Sequence, residues 1–363
     1  MKPSILFPAV IVFVLAMGAG EAVSKVNVGR QCWGQTSAGE SVDLFVIKSS
    51  ASRVTAQVAS YGAMLVRLDV PDREGTLGSV VAMDEYTLQA AERSLWGQVI
   101  GRFANRIDTA GFTIDGQRYD FHTYNKRTKV HIHGGKTGFH RQVFRSKIIP
   151  NGVEFSHISP DGQEGFPGEV KVSVNYELLG QDLRITYSAN TTKPTHLNLT
   201  NHAYFNLTAS NETDVLNHRL QLYSNQYLDI DSRKVPTGKY LPVCGTPFDF
   251  RKPQRIGDQI EAAGGYDHCF VIQGKPGTLR SAATIEDPNS GRKLEVLTTQ
   301  PGLQIYTASK RNFPKWSQIC FETQHYPDSP NRPEFPSTLL RPGETLKEVT
   351  VFRCSTVENN GSQ

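Results

Sequence analysis

Between Val170 and Tyr187 the chain alternates apolar and polar residues with a period of two. Val170, Val172, Val174, Tyr176 and Leu178 share one face, and Leu183, Ile185 and Tyr187 repeat the pattern after Gly180-Gln181-Asp182. Residues two apart on a strand point the same way, so the run reads as a half-buried β-hairpin around a glycine turn. Val54, Ala56 and Val58 lead through Ser60-Tyr61-Gly62 to Leu65, Leu68 and Val70, and then to the turn Pro71–Gly75. Phe112, Ile114 and Tyr119 flank Asp115-Gly116, and Leu294, Val296 and Leu297 follow Asn289-Ser290-Gly291. Helical signals are confined to Asp84–Ser94 and to the stretch from Pro253 to Ala263. Many short strands joined by Gly, Pro, Asn and Asp turns predict an all-β sandwich or barrel. The missing β-α alternation argues against Rossmann and TIM-type folds.

No linker or repeat divides the 363 residues, so residues 25–363 are expected to form one domain, with its core from about Val26 to Val357. Residues 1–24 read as a secretory signal peptide: Lys2, an apolar run from Ile5 to Met17, then small residues at Gly18, Ala19, Gly20 and Ala22. That run is short for a membrane span. The expectation is a secreted chain, periplasmic or extracellular, with no membrane attachment after cleavage. A net charge of +4 without a dense basic run gives nucleic acid no footprint. Five cysteines with irregular spacing and no C-x-x-C pair leave at least one thiol unpaired in a monomer. Asn-x-Ser/Thr strings begin at Asn190, Asn198, Asn206, Asn211 and Asn360.

Histidine is the first chemical candidate, because it titrates near neutral pH. His131-Ile132-His133-Gly134-Gly135 puts both imidazoles on one face of an extended segment. Such a pair starts many β-barrel metal sites, but no acidic residue follows within the next few positions, so no metal is expected. His131 is taken as structural and His133 as functional. Gly135-Lys136-Thr137 resembles the end of a phosphate loop, but the first glycine of that motif would fall on Val130. Further polar clusters are Thr200–Asn206, Gly265–His268 and Phe321–Gln324. Aromatic rings beside carboxylates, amides and imidazoles suit a pyranose, whose C–H faces stack and whose hydroxyls need convergent polar partners.

Taken in order, these strings resemble the aldose 1-epimerase (galactose mutarotase) family. They are Gly101-Arg102-Phe103-Ala104-Asn105-Arg106-Ile107, His133–Phe139, Glu164–Gly168, Thr200–Leu207, Pro247–Arg251, Gly265–His268, Thr298–Gly302, Glu322-Thr323-Gln324 and Leu340–Glu344. The resemblance runs from about Ser41 to Ser355. It implies a large antiparallel β-sandwich and interconversion of the α and β anomers of free aldohexoses such as galactose and glucose. It further implies Glu322 as general base and His202 as general acid. His133 and Asp267 would hold and polarise the sugar, and Asn105, Arg106 and Gln300 would bind it. No metal or organic cofactor is implied, the partner is a free monosaccharide, and the chain is expected as a monomer or homodimer. A phosphohexose epimerase, a sugar-binding protein without turnover and a glycoside hydrolase are the rivals. The last would need two carboxylates astride a glycosidic bond.

Overall fold

The Val170 hairpin forms as its pattern predicts: strands Val170–Leu179 and Asp182–Thr191 pair antiparallel, with Leu179 opposite Asp182. Their apolar residues are buried and the residues between them are partly or fully exposed. At Asp115-Gly116 both residues adopt positive φ, 49° and 82°, which the tight turn between strands Gly111–Ile114 and Gln117–Asp120 requires. The uneven spacing of Leu65 and Leu68 has a cause too. A register shift at Gln57/Val58 disrupts the pairing of Thr55–Ala59 with Met64–Pro71.

The computed structural model describes residues 26–50, 52–81, 87–210, 212–308 and 315–358. The apolar segment 1–24, Asn211 and Asn360 lie outside them. The Asp84–Ser94 helix reduces, among described residues, to Leu88–Ala91, with the Thr87 hydroxyl capping the Ala90 N–H. The second helical signal becomes a 3₁₀ turn at Ile256–Asp258 and the helix Ile260–Ala263.

Three antiparallel sheets dominate. One of five strands runs from Val26–Gln35 to Leu77–Ser79 in chain order. One of nine strands runs from Arg145–Ile149, through the Val170 hairpin and the long strand Leu346–Thr356, to Gln254–Arg255. One of six strands orders Tyr204–Phe205, Gln318–Gln324, Gly302–Ala308, Asp267–Ile272, Ser224–Ile230 and Pro236–Pro242. Their inner faces share one apolar core, which joins Phe45 and Ile47, Val174, Ile185 and Tyr187, and Leu303, Ile305, Ile319 and Phe321. This is the expected β-sandwich. Each such side chain contributes about 1.5–3 kcal/mol by leaving water.

Strand Gln318–Gln324 is buried at every position. Alternation sends Ile319 and Phe321 into the core and turns Cys320 and Glu322 to the other side. The neighbouring strands place Gln304 opposite Glu322, Tyr306 opposite Cys320, and Asp267 opposite Tyr306. A row of polar side chains thus lines the face of the six-stranded sheet turned away from the core. Cys269, Cys320 and Cys354 are buried, Cys32 and Cys244 exposed, and no disulfide joins any of the five. Asn198 and Asn206 are buried, so a glycan fits at neither, whereas Asn190 is exposed.

Candidate active site

The polar row meets loops from the opposite end of the chain. His202 follows the short strand Thr200–Asn201, and its backbone exchanges hydrogen bonds with Gln98 and Gly97. Its ring stacks on Tyr204 at 5.0 Å, and its Nδ1 lies 3.8 Å from the Cys320 Sγ. Its Nε2 lies 3.5 Å from Glu322 Oε1. The other Glu322 oxygen has no hydrogen-bond partner among the described residues. Burial pushes the Glu322 carboxyl up to about 8; the Asp267 carboxylate adds to the rise and the Arg106 guanidinium opposes it.

His133 stands 5.4 Å from the His202 ring, centre to centre. Its backbone is left-handed, at φ 53°. Asn105 over-determines it: the His133 N–H donates to the Asn105 carbonyl, and the Asn105 N–H donates to His133 Nδ1, both at 3.1 Å. The next residue must be glycine, because a Cβ on Gly134 would lie 1.9 Å from the Gly101 carbonyl oxygen. Beyond it, Glu164 clamps the loop. Its carboxylate accepts from the Thr137 N–H and hydroxyl, each at 2.6 Å, and from the Thr123 hydroxyl. Arg102 fixes the adjoining segment. Its buried guanidinium donates to Ser159, Pro160, Phe166 and Pro167, tying the Gly101–Ile107 string to the Glu164–Gly168 string.

The Asn105 contact also sets the proton position on His133. Nδ1 accepts, so the neutral ring carries its hydrogen on Nε2. Removal from water, with His202 and Arg106 nearby, holds this imidazole well below its ordinary value. His133 is therefore a neutral donor at pH 7. The donor atoms of His133, His202 and Glu322 lie within 4.8 Å of one another, close enough to invite a metal. The tautomer opposes that reading. A metal-bound imidazole offers a bare nitrogen and donates from the other one; His133 does the reverse.

Asp267 is the second carboxylate. Gln304 Nε2 donates to its Oδ1 at 2.7 Å, Lys234 pairs with its Oδ2, and the Arg106 guanidinium reaches to 4.0 Å. Asn105 Oδ1 accepts from the Arg106 N–H at 2.9 Å and its guanidinium at 3.2 Å, which aims the arginine. Trp96, Tyr204 and Tyr306 form an edge-to-face aromatic chain beside this group, with centroids 6.0 and 6.3 Å apart.

The structure thus brings together Glu322, His202, His133, Asn105, Arg106 and Asp267. Gln300 sits apart from this network. Its amide donates to the Leu199 carbonyl at 3.0 Å, in the buried connection between strands Arg292–Thr298 and Gly302–Ala308. The glutamine that touches the cluster is Gln304, in the same Gln300–Gln304 string. Only strand register distinguishes them: Gln304 faces Glu322 across the ladder. His131 is a core residue, fully buried, stacked on Phe121 at 3.9 Å and bonded through Nδ1 to the Thr123 carbonyl.

The family model described as aldose 1-epimerase matches residues 43–353. The chain belongs to the aldose 1-epimerase family. It is an isomerase of carbohydrate metabolism, a mutarotase. It is similar to the galactose mutarotase of Rattus norvegicus, with 38% identity over 91% of this chain and 99% of the relative. It is also similar to the aldose 1-epimerase of Escherichia coli, with 33% identity over 87% of this chain and 96% of the relative. Among solved structures, the galactose 1-epimerase of Lactobacillus acidophilus superposes with a TM-score of 0.78 at 25% identity. It covers 92% of this chain and the whole of that one. An aldose epimerase homologue from C. elegans gives a TM-score of 0.77 at 28% identity, covering 84% of this chain and 96% of that one.

Proposed function

We propose that this mutarotase acts on free aldohexoses, galactose and glucose, with Glu322 as base and His202 as acid. The observation that carries this reading is the 3.5 Å separation of Glu322 Oε1 and His202 Nε2. Ring opening removes a proton from the hydroxyl on C1 and delivers one to the ring oxygen. Both oxygens are bonded to the same carbon, so acid and base must be close neighbours. A glycoside hydrolase instead needs paired carboxylates about 5 Å or more apart, and the nearest partner of Glu322 here is an imidazole.

On this reading the unpaired Glu322 oxygen takes the C1 hydroxyl proton, and His202 protonates the ring oxygen as the C1–O5 bond breaks. Rotation about C1–C2 exposes the other face of the aldehyde. On reclosure His202 takes the proton back and Glu322 returns the other, so both groups are restored. The His133 Nε2–H, Arg106 and Asn105 hold the sugar from one side, and Asp267 and Gln304 from the other. Tyr204, Tyr306 and Trp96 offer apolar faces to its C–H surfaces. Each step is served by the chain's own side chains.

Polarimetry of freshly dissolved α-D-galactose and α-D-glucose tests this directly. The enzyme is expected to speed the decay of optical rotation to equilibrium on both sugars, and to keep doing so in EDTA. A folded chain that accelerates neither would overturn the substrate assignment; loss of activity in EDTA would overturn the metal-free site.

We further propose export, on the strength of the Lys2, Ile5–Met17 and Gly18–Ala22 pattern. The mature chain is expected outside the cytoplasm with a new N-terminus between Ala19 and Ser24. Recovery of the chain from the cytoplasm with Met1 intact would remove this proposal.

A further inference from the structure

The tip of the hairpin between strands Ser224–Ile230 and Pro236–Pro242 reaches the site, and no sequence signal drew attention to it. The Asp231 carboxylate accepts from the backbone N–H groups of Arg233 and Val235, and Lys234 returns its own N–H to the Asp231 carbonyl. Lys234 is thereby held left-handed, at φ 62°. Arg233 locks the tip in place. It forms a two-pronged pair with Asp108, bonds Asp231 and donates to the Thr128 carbonyl. Asp108 is two residues from Arg106, so the hairpin tip and the Asn105-Arg106 segment are one assembly.

From that anchored position the Lys234 ammonium meets Asp267 Oδ2 while its side chain stays 49% exposed. A half-exposed ion pair contributes at most about 1 kcal/mol to stability, so folding alone gives little reason for it. An ammonium carries three hydrogens and makes one contact here. The other two have no partner among the described residues, on a half-exposed side chain beside a carboxylate whose Oδ1 already takes Gln304. A sugar hydroxyl both donates and accepts. Asp267 satisfies the donation; an adjacent fixed cation satisfies the lone pairs.

We propose that Lys234 is a substrate-binding, specificity-determining residue, its ammonium donating to the same hydroxyl that Asp267 accepts from or to that hydroxyl's neighbour on the ring. The proposal rests on the mutarotase reading and adds a partner to its sugar site. The hydroxyl recognised is one of those on C2, C3, C4 or C6, away from the reacting C1–O5 unit.

The test is polarimetry of wild type, Lys234→Met and Lys234→Arg on galactose and on its 2-, 3-, 4- and 6-deoxy analogues. Lys234→Met keeps the stem and loses the charge. On galactose it is expected to lower kcat/KM about tenfold or more, chiefly through KM. On the one analogue that lacks the recognised hydroxyl the loss should shrink to about threefold or less, because the contact is already gone. Lys234→Arg, which retains the cation, should recover part of the loss. If Lys234→Met depresses all five sugars by one common factor, Lys234 acts only through Asp267 or the fold, and the proposal fails. If it changes none, the contact does not exist. Failure of wild type on galactose itself would instead overturn the mutarotase reading, so the two failures are distinguishable.

Discussion

Glu322→Gln is expected to lose about 10²–10⁴-fold in kcat/KM for galactose, with KM little changed. The amide keeps the shape and the approach to His202 but cannot take a proton from the C1 hydroxyl. The wild-type pH profile should carry the same signature. The working form is the carboxylate, and burial raises its titration to about 8. The profile should be a bell: at high pH kcat/KM falls as His202 loses the proton it has to give, and on the acid side it rises with pH as the carboxylate forms. Stability should run the opposite way. A carboxyl whose folded pKa is raised contributes stability that is fully present below its unfolded value and is lost as pH rises through about 8. Glu322→Gln removes that loss, so its melting temperature should gain on wild type at pH 9 and not at pH 5. A loss of activity below about tenfold would sink Glu322 as the base.

His202→Asn should cost a similar factor, about 10²–10⁴. Asparagine can still hydrogen-bond the ring oxygen but has no proton to give as C1–O5 breaks. The residual activity should keep the rise with pH that Glu322 imposes. The double variant should be scarcely worse than the weaker single variant, because ring opening needs both transfers in one event. Additive losses, measured on α-D-galactose by the change in optical rotation, would show that the residues work on separate steps.

The sequence made the sandwich legible where one face of a strand is wet. Val170–Tyr187 alternates because its outer residues meet solvent. Strand Gln318–Gln324 hides the same geometry, since its second face is buried as well and shows no exposed positions. The proposed acid–base pair and most of the proposed sugar contacts lie in motif strings, which name residues but not distances. Those strings mix two kinds of residue. Arg102 and Glu164 serve the architecture; Arg106 and His133 face the site. Gln300 and Gln304 lie in one string, and only the pairing with Glu322 sets Gln304 against the cluster. Lys234 was invisible for a similar reason: nothing in Ser232-Arg233-Lys234 reveals that a hairpin tip, pinned through Asp108, bends toward Asp267.

The double burial of strand Gln318–Gln324 bears on how sugar preference can drift or be redesigned. Each residue there is enclosed, on the core side or on the side of the site, so no position is free to wander. Lys234, on a solvent-facing turn, is under no such double obligation. Variation in taste among kindred enzymes would accordingly accumulate at the rim, with the doubly enclosed strand passed down almost unaltered.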